Sequence, residues 1–99
     1  MIMRVWQGWT SRKDADAYDD MLRNRILPGI HRIDGYKGSW LLRRDGDDET
    51  EFITITTWDS WDAIKRFAPD GHAVIDPKAD SLLTHYDYDS VHYEGTWVP

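Results

Sequence analysis

Cysteine is absent from this sequence, which removes disulfide frameworks, thiol nucleophiles and thiolate metal sites together. Basic charge is also scarce: 12 Lys and Arg against 18 Asp and Glu leave a formal net charge of −6. The basic residues are dispersed along the chain, so there is no patch to displace counterions from phosphate, and nucleic acid and anionic membranes are set aside as partners. Long apolar runs are lacking too. The opening "MIMRVWQGWT" is too short for a secretory signal and no stretch could span a bilayer, so the expectation is a soluble, cytoplasmic protein. Neither a Gly-rich phosphate loop nor a G-x-S-x-G nucleophile elbow occurs. The four histidines, His31, His72, His85 and His92, include no helical i, i+4 pair, so no metal site is expected.

What the sequence does hold is aromatic surface. Six Trp, five Tyr and two Phe in 99 residues are more than one small core readily covers. Residues 1–99 read as one domain, and some of its rings need a cavity or a second subunit to shield them.

The pattern of elements is legible in order. Ile2 to Trp9 reads as a strand, and Ser11 is the expected N-cap of a helix with Ala15, Tyr18, Met21, Leu22 and Ile26 on its apolar stripe. Asp14, Asp16, Asp19 and Asp20 are assigned to its solvated face, and Pro28-Gly29 to its end. Strands are expected over Ser39–Arg44 and Glu51–Trp58, joined at Asp45-Gly46, whose residues tolerate positive φ. Alternation puts Phe52, Thr54, Thr56 and Trp58 on one face of the second strand, with Ile53 and Ile55 on the other. Asp59-Ser60 caps a second helix with Trp61, Ile64, Phe67 and Ala68 inward. A short helix over Pro77–Thr84 and a last strand over Tyr88–Val98, with a bend at Gly95, complete the chain. The order β-α-β-β-α-β predicts an α+β, ferredoxin-like antiparallel sheet with two helices on one face. Its helix-free face carries apolar side chains, so a homodimer packed sheet to sheet is expected.

With the elements placed, "IDGYKGSWLLRR", "EFITITTWDSWDAIKRF", the histidine that follows and the final "VHYEGTW" together resemble the antibiotic biosynthesis monooxygenase family. That resemblance covers nearly the whole chain and implies a dimeric α+β barrel. In the family's cofactor-independent oxygenases of aromatic polyketides, the strand-end Trp belongs to the site, with an Asn four residues before it and a Tyr six after. Trp58 matches, while Thr54 and Ile64 stand at the other two positions. In the haem-degrading branch a histidine after this helix ligates iron, which points to His72. The second Trp and the Asn of that branch correspond to Phe67 and, approximately, Gln7.

Dioxygen reacts poorly with closed-shell molecules, so a protein without metal or flavin must make its substrate the electron donor. Deprotonated phenols, quinols and anthrone-like compounds qualify, given an apolar slot, groups that favour the anion and a base. Trp58, Trp61 and Phe67 are the candidate slot, Gln7 a further substrate contact, Thr54 a partner for a substrate oxygen, and His72 the base, its ordinary pKa being about 6.5. Each has a plainer reading. Trp58 equally plugs the strand-to-helix junction, Trp61 and Phe67 fit core packing, Thr54 suits a pleated sheet, Gln7 can bond within the sheet, and His72 can be solvated beside an acid. The leading function is therefore cofactor-independent monooxygenation of a small aromatic, phenolic or quinol substrate. The alternatives are haem oxygenation through His72, and a non-catalytic dimeric protein of the small-ligand-binding or stress-response kind.

Overall fold

Side chains alternate inward and outward along β1 (Ile2–Ser11), two residues longer than its apolar pattern suggests. In this computed structural model, which describes every residue from Met1 to Pro99, Ser11 closes that strand rather than capping a helix. Its Oγ accepts the Asp14 N–H at 3.2 Å, and helix α1 (Ala15–Met21) starts only after this turn. The predicted stop at Pro28-Gly29 is passed. A π-helical turn (Leu22–Ile26) leads into α2 (Leu27–Ile30), with Pro28 in its first turn. The Leu27 N–H reaches back to the Leu22 carbonyl, five residues away. Proline lacks an N–H and its ring crowds the carbonyl four residues earlier, so widening the preceding turn lets the helix continue. Of the acidic face, Asp19 is almost buried; it pairs with Arg23 at 2.9 Å and Arg43 at 3.2 Å, tying α1 to the sheet.

β2 (Tyr36–Asp45) and β3 (Glu49–Trp58) form the expected hairpin. Its turn is wider than Asp45-Gly46 implied: the Gly46 N–H donates to the Glu49 carbonyl at 2.8 Å, and Gly46 does not use positive φ. Positive φ is used instead at Gly35 (92°), where a Cβ would stand 2.5 Å from that of Ala63. α3 (Trp61–Phe67) follows β3, its N-cap Ser60 accepting the Ala63 N–H at 3.1 Å as the sequence predicted.

The rest of the chain departs more. The predicted Pro77–Thr84 helix is only α4 (Pro77–Asp80), capped by Asp76, and the chain then turns into β4 (Leu83–Tyr86). The predicted last strand is reduced to β5 (Val91–Glu94), after which the Gly95 N–H bonds the Met1 carbonyl at 2.8 Å. β4 and β5 both pair antiparallel with β1, so they form one interrupted edge strand in the order β2-β3-β1-β4/β5. The fold is thus the ferredoxin-like α+β arrangement, an antiparallel sheet with its helices on one face.

Register sets the two faces. Ile2, Arg4, Trp6 and Thr10 of β1 share the helix-covered face with Thr50, Phe52, Thr54, Thr56 and Trp58 of β3. Two apolar clusters fill the space beneath the helices. One gathers Ile2, Ile30, Trp58, Ala63 and Ile64; the other Ala15, Tyr18, Leu22, Phe52 and Ala79. The opposite face carries Val5, Gln7, Trp40, Leu42, Ile53 and Ile55. No helix is long and apolar enough to cross a membrane.

Candidate functional site

Between the two clusters the sheet and helices part around a cavity of about 540 Å³, within the range of small-molecule sites. Its sheet wall is Arg4, Trp6, Thr54 and Thr56; Tyr18, Leu22 and Ile26 come from the first helix and Phe67 from the end of α3. Of the six residues predicted for the site, the cavity therefore brings together Thr54 and Phe67.

The other four lie elsewhere, each for a physical reason. Trp58, expected on the cavity wall, has 0 % exposure and sits in the first cluster. Its indole N–H donates to Thr56 Oγ1 at 2.9 Å, and its ring contacts Tyr36 edge-on at 5.3 Å and Phe67 at 5.4 Å. It supports two wall residues from behind. Trp61, expected on the inward stripe, is 47 % exposed and packs on His92 at 5.2 Å, because Ala63 and Ile64 hold the buried side of α3. Gln7 has odd parity on β1, so it faces the helix-free side and donates to Glu51 there. His72 follows Gly71, whose φ of 79° turns the loop. Its Nδ1 lies 2.6 Å from Asp89 Oδ1, its ring packs on Tyr88 at 4.4 Å, and it is not on the wall.

A chain of contacts nevertheless joins His72 to the cavity. Arg4, only 4 % exposed, donates from one terminal nitrogen to the His72 carbonyl at 2.7 Å. Its other terminal nitrogen lies 3.0 Å from His92 Nε2, and the guanidinium carbon lies 5.7 Å from the Phe67 centroid. An arginine is donor only, so His92 accepts with Nε2 and carries its proton on Nδ1. Burial, and then the Arg4 charge, hold the His92 pKa below its ordinary value, consistent with a neutral ring. Burial also lowers Arg4, partly offset by Asp70, and raises the Tyr18 phenol, which stays a neutral group on the wall. Next to Asp89, Ser90 lines the same cavity, and its buried Oγ has no partner. Arg4 and Ser90 thus give the cavity a polar end, with His72, Asp89 and His92 standing behind it, outside the wall.

Arg4, Trp6, Tyr18, Thr56 and Ser90 were missed from sequence. For Arg4 a signal was present: it stands between Ile2 and Trp6 at the inward period of β1, and a charge on a buried strand face calls for a reason. Ser90 offered none, since its place depends on where the edge strand breaks. The fold gathers no group of three or more His, Asp or Glu placed to hold a metal ion.

No family model matches the chain, and no curated protein is similar to it. Solved structures are. A protein of Nitrosomonas europaea assigned to the antibiotic biosynthesis monooxygenases superposes with a TM-score of 0.70 at 12% identity, over 98% of this chain and 100% of its own. SnoaB, a cofactor-independent oxygenase of Streptomyces nogalater, gives 0.65 at 16% identity over 98% and 95%. The haem degrader MhuD of Mycobacterium tuberculosis, with two haems bound in its active site, gives 0.63 at 16% over 100% and 99%. The fold is that of the antibiotic biosynthesis monooxygenases. At these identities the likeness establishes the fold alone, and chemistry has to be argued from the site.

Proposed function

We propose that the protein is a cofactor-independent monooxygenase, acting in the cytoplasm on a small aromatic, phenolic or quinol substrate with dioxygen. The observation that carries this reading is the cavity, which sets an apolar surface beside hydroxyl and arginine side chains. Phe67, Trp6 and Leu22 supply surface for a flat ring, and Thr54 and Thr56 supply hydroxyls for its oxygens. His72 is the proposed base; its ring, held by Asp89 at 2.6 Å, stands off the wall and has to turn inward to ionise the substrate, since Arg4 meets only its main-chain carbonyl. Oxygen then takes electrons from the substrate anion: one of its atoms bonds the ring carbon and the other leaves as water with the two hydrogens that carbon loses, so the substrate itself supplies all four electrons. Trp58 serves by holding Thr56 and Phe67 in place. SnoaB, with the same fold, is described as an oxygenase of this cofactor-independent kind, which supports the reading.

Haem is less well served by this cavity. No histidine, methionine or cysteine is on its wall, so a porphyrin seated there would find no axial ligand of those types. Hemin titration of the wild type and His72→Ala, followed at the Soret band, checks this directly; a band that depends on His72 would replace the oxygenase reading.

The functional unit is a homodimer through the helix-free face. There Trp40 is 68 % exposed and Leu42, Val91 and Tyr93 are also open, more apolar surface than a monomer commonly leaves to water. The central experiment measures oxygen uptake with an anthrone or hydroquinone, in wild type and His72→Ala. Uptake that is lost in the variant is expected. No uptake with either compound class would sink the oxygenase reading and favour a non-catalytic binding protein, whereas unchanged uptake in the variant removes His72 from the mechanism.

A further inference from the structure

The polar end of the cavity is built for something the chain itself does not supply. Arg4 is a buried cation with no carboxylate in contact: its partners are a carbonyl oxygen and a neutral imidazole, and the charge of Asp70 offsets its burial only in part. A guanidinium has five N–H donors, and these contacts use two, leaving three. Holding such a charge out of water is costly unless an anion meets it. Ser90 Oγ, buried and without a partner, belongs to the same wall. The wider lining repeats the sign. Arg25, Arg32 and Arg66 also border the cavity, against one carboxylate, Asp76. In a chain of net charge −6, four arginines around one cavity run against the composition. Asp76 is engaged by Arg25 at 3.3 Å and by the Lys78 N–H at 2.8 Å, so it does not neutralise Arg4.

We propose that this end is an anion subsite, in which Arg4 and Ser90 bind the carboxylate of an aromatic acid whose ring lies against Phe67 and Trp6. A carboxylate suits the donors better than a single phenolic oxygen does. Its two oxygens can take the free guanidinium N–H groups and the serine hydroxyl together, in the fork geometry that arginine favours. Arg4 is kept in position for this by the His72 carbonyl and His92, both outside the wall. The inference rests on the cavity being the substrate site, and it narrows the substrate from any small aromatic to one that carries an acid.

Binding of 1-naphthoate and of its neutral counterpart 1-naphthamide, followed by quenching of tryptophan fluorescence, tests the subsite without turnover. The acid is expected to bind at least tenfold more tightly to the wild type. Arg4→Met should bring the two ligands within about twofold, and Ser90→Ala should weaken the acid several-fold while leaving the amide unchanged. Far-UV circular dichroism checks that Arg4→Met folds; if it does not, the wild-type ratio and Ser90→Ala decide. Equal affinity, no binding of either compound, or an acid preference that survives in folded Arg4→Met overturns the proposal. Acid preference without oxygen consumption leaves the subsite standing and removes the oxygenase, while uptake with neutral quinols and no acid preference does the reverse.

Discussion

Replacing Trp58 by Phe separates a core role from a site role. In the wild type the indole is sealed, its N–H bonds Thr56 Oγ1 at 2.9 Å, and its ring meets Tyr36 and Phe67. Phenylalanine keeps a six-membered ring for those contacts but loses the hydrogen bond, leaving Thr56 short of a partner, which costs about 1 kcal/mol. The smaller ring leaves a void and forfeits buried apolar atoms, a further cost of about 1–2 kcal/mol. The sum, roughly 2–3 kcal/mol, is a sizeable part of the total stability of about 5–15 kcal/mol for a domain. For a chain of this size it corresponds to a fall in Tm of roughly 10–20 °C. Urea and thermal unfolding by circular dichroism measure the loss, and oxygen uptake below the new Tm measures function. Lowered stability with kcat/KM changed no more than a few-fold is expected. A variant as stable as the wild type that loses tenfold or more in kcat/KM would refute the assignment of Trp58 as support and place it against the substrate.

Gly35→Ala forces a side chain onto a φ of 92° and a Cβ 2.5 Å from that of Ala63, so a loss of about 1–3 kcal/mol is expected in urea unfolding; a neutral result contradicts the turn geometry. Ser60→Ala removes the cap of α3 and should cost about 1 kcal/mol in the same assay. Because His92 is depressed in the folded state, the unfolded chain takes up that proton first. This share of stability is complete above the unfolded value of about 6.5 and is lost as the pH falls through it toward the folded value. His92→Gln, which can still accept from Arg4, should flatten unfolding profiles just below that pH; an unchanged slope would show that His92 does not carry it. Trp40→Glu places charge on the helix-free face and should shift sedimentation from dimer to monomer, and a wild type that sediments as a monomer contradicts the sheet-to-sheet assembly.

The β2-β3 hairpin and the start of α3 were legible because local signals and tertiary structure agree there, whereas the Ser11 cap and the Pro28-Gly29 stop were overridden. The period-two pattern of β3 and the Ser60 cap specify both their element and its buried side, and they led to Thr54. Trp61 shows where pattern fails: it falls on a helical stripe, yet the small Ala63 is what lets α3 approach the sheet, and the indole turns out to His92. The chain from Pro77 onward was least legible. β4 and β5 are four residues each, and their pairing comes from β1 rather than from any strong period of their own. The polar end of the site depends on that pairing, so Ser90 and the Asp89 partner of His72 could not be placed from sequence, although Asp89 lies in plain view beside it.

The break between β4 and β5 has a consequence for how the protein can change. Tyr88 to Ser90 leave the ladder with β1 while the Asp87 N–H still bonds the Gln7 carbonyl at 3.0 Å; the Asp87 carbonyl receives the Trp6 indole N–H at 2.8 Å, and Ser90 reaches the cavity wall with Asp89 behind it. Those residues hang on the rim of the sheet, whereas the two apolar clusters that stabilise the fold lie elsewhere. A substitution in the gap can therefore alter what the cavity prefers while the core keeps its packing. Tyr18 and Leu22 serve the cavity wall and the core at once, but this rim contributes to the wall alone, so it can drift while the packing stays.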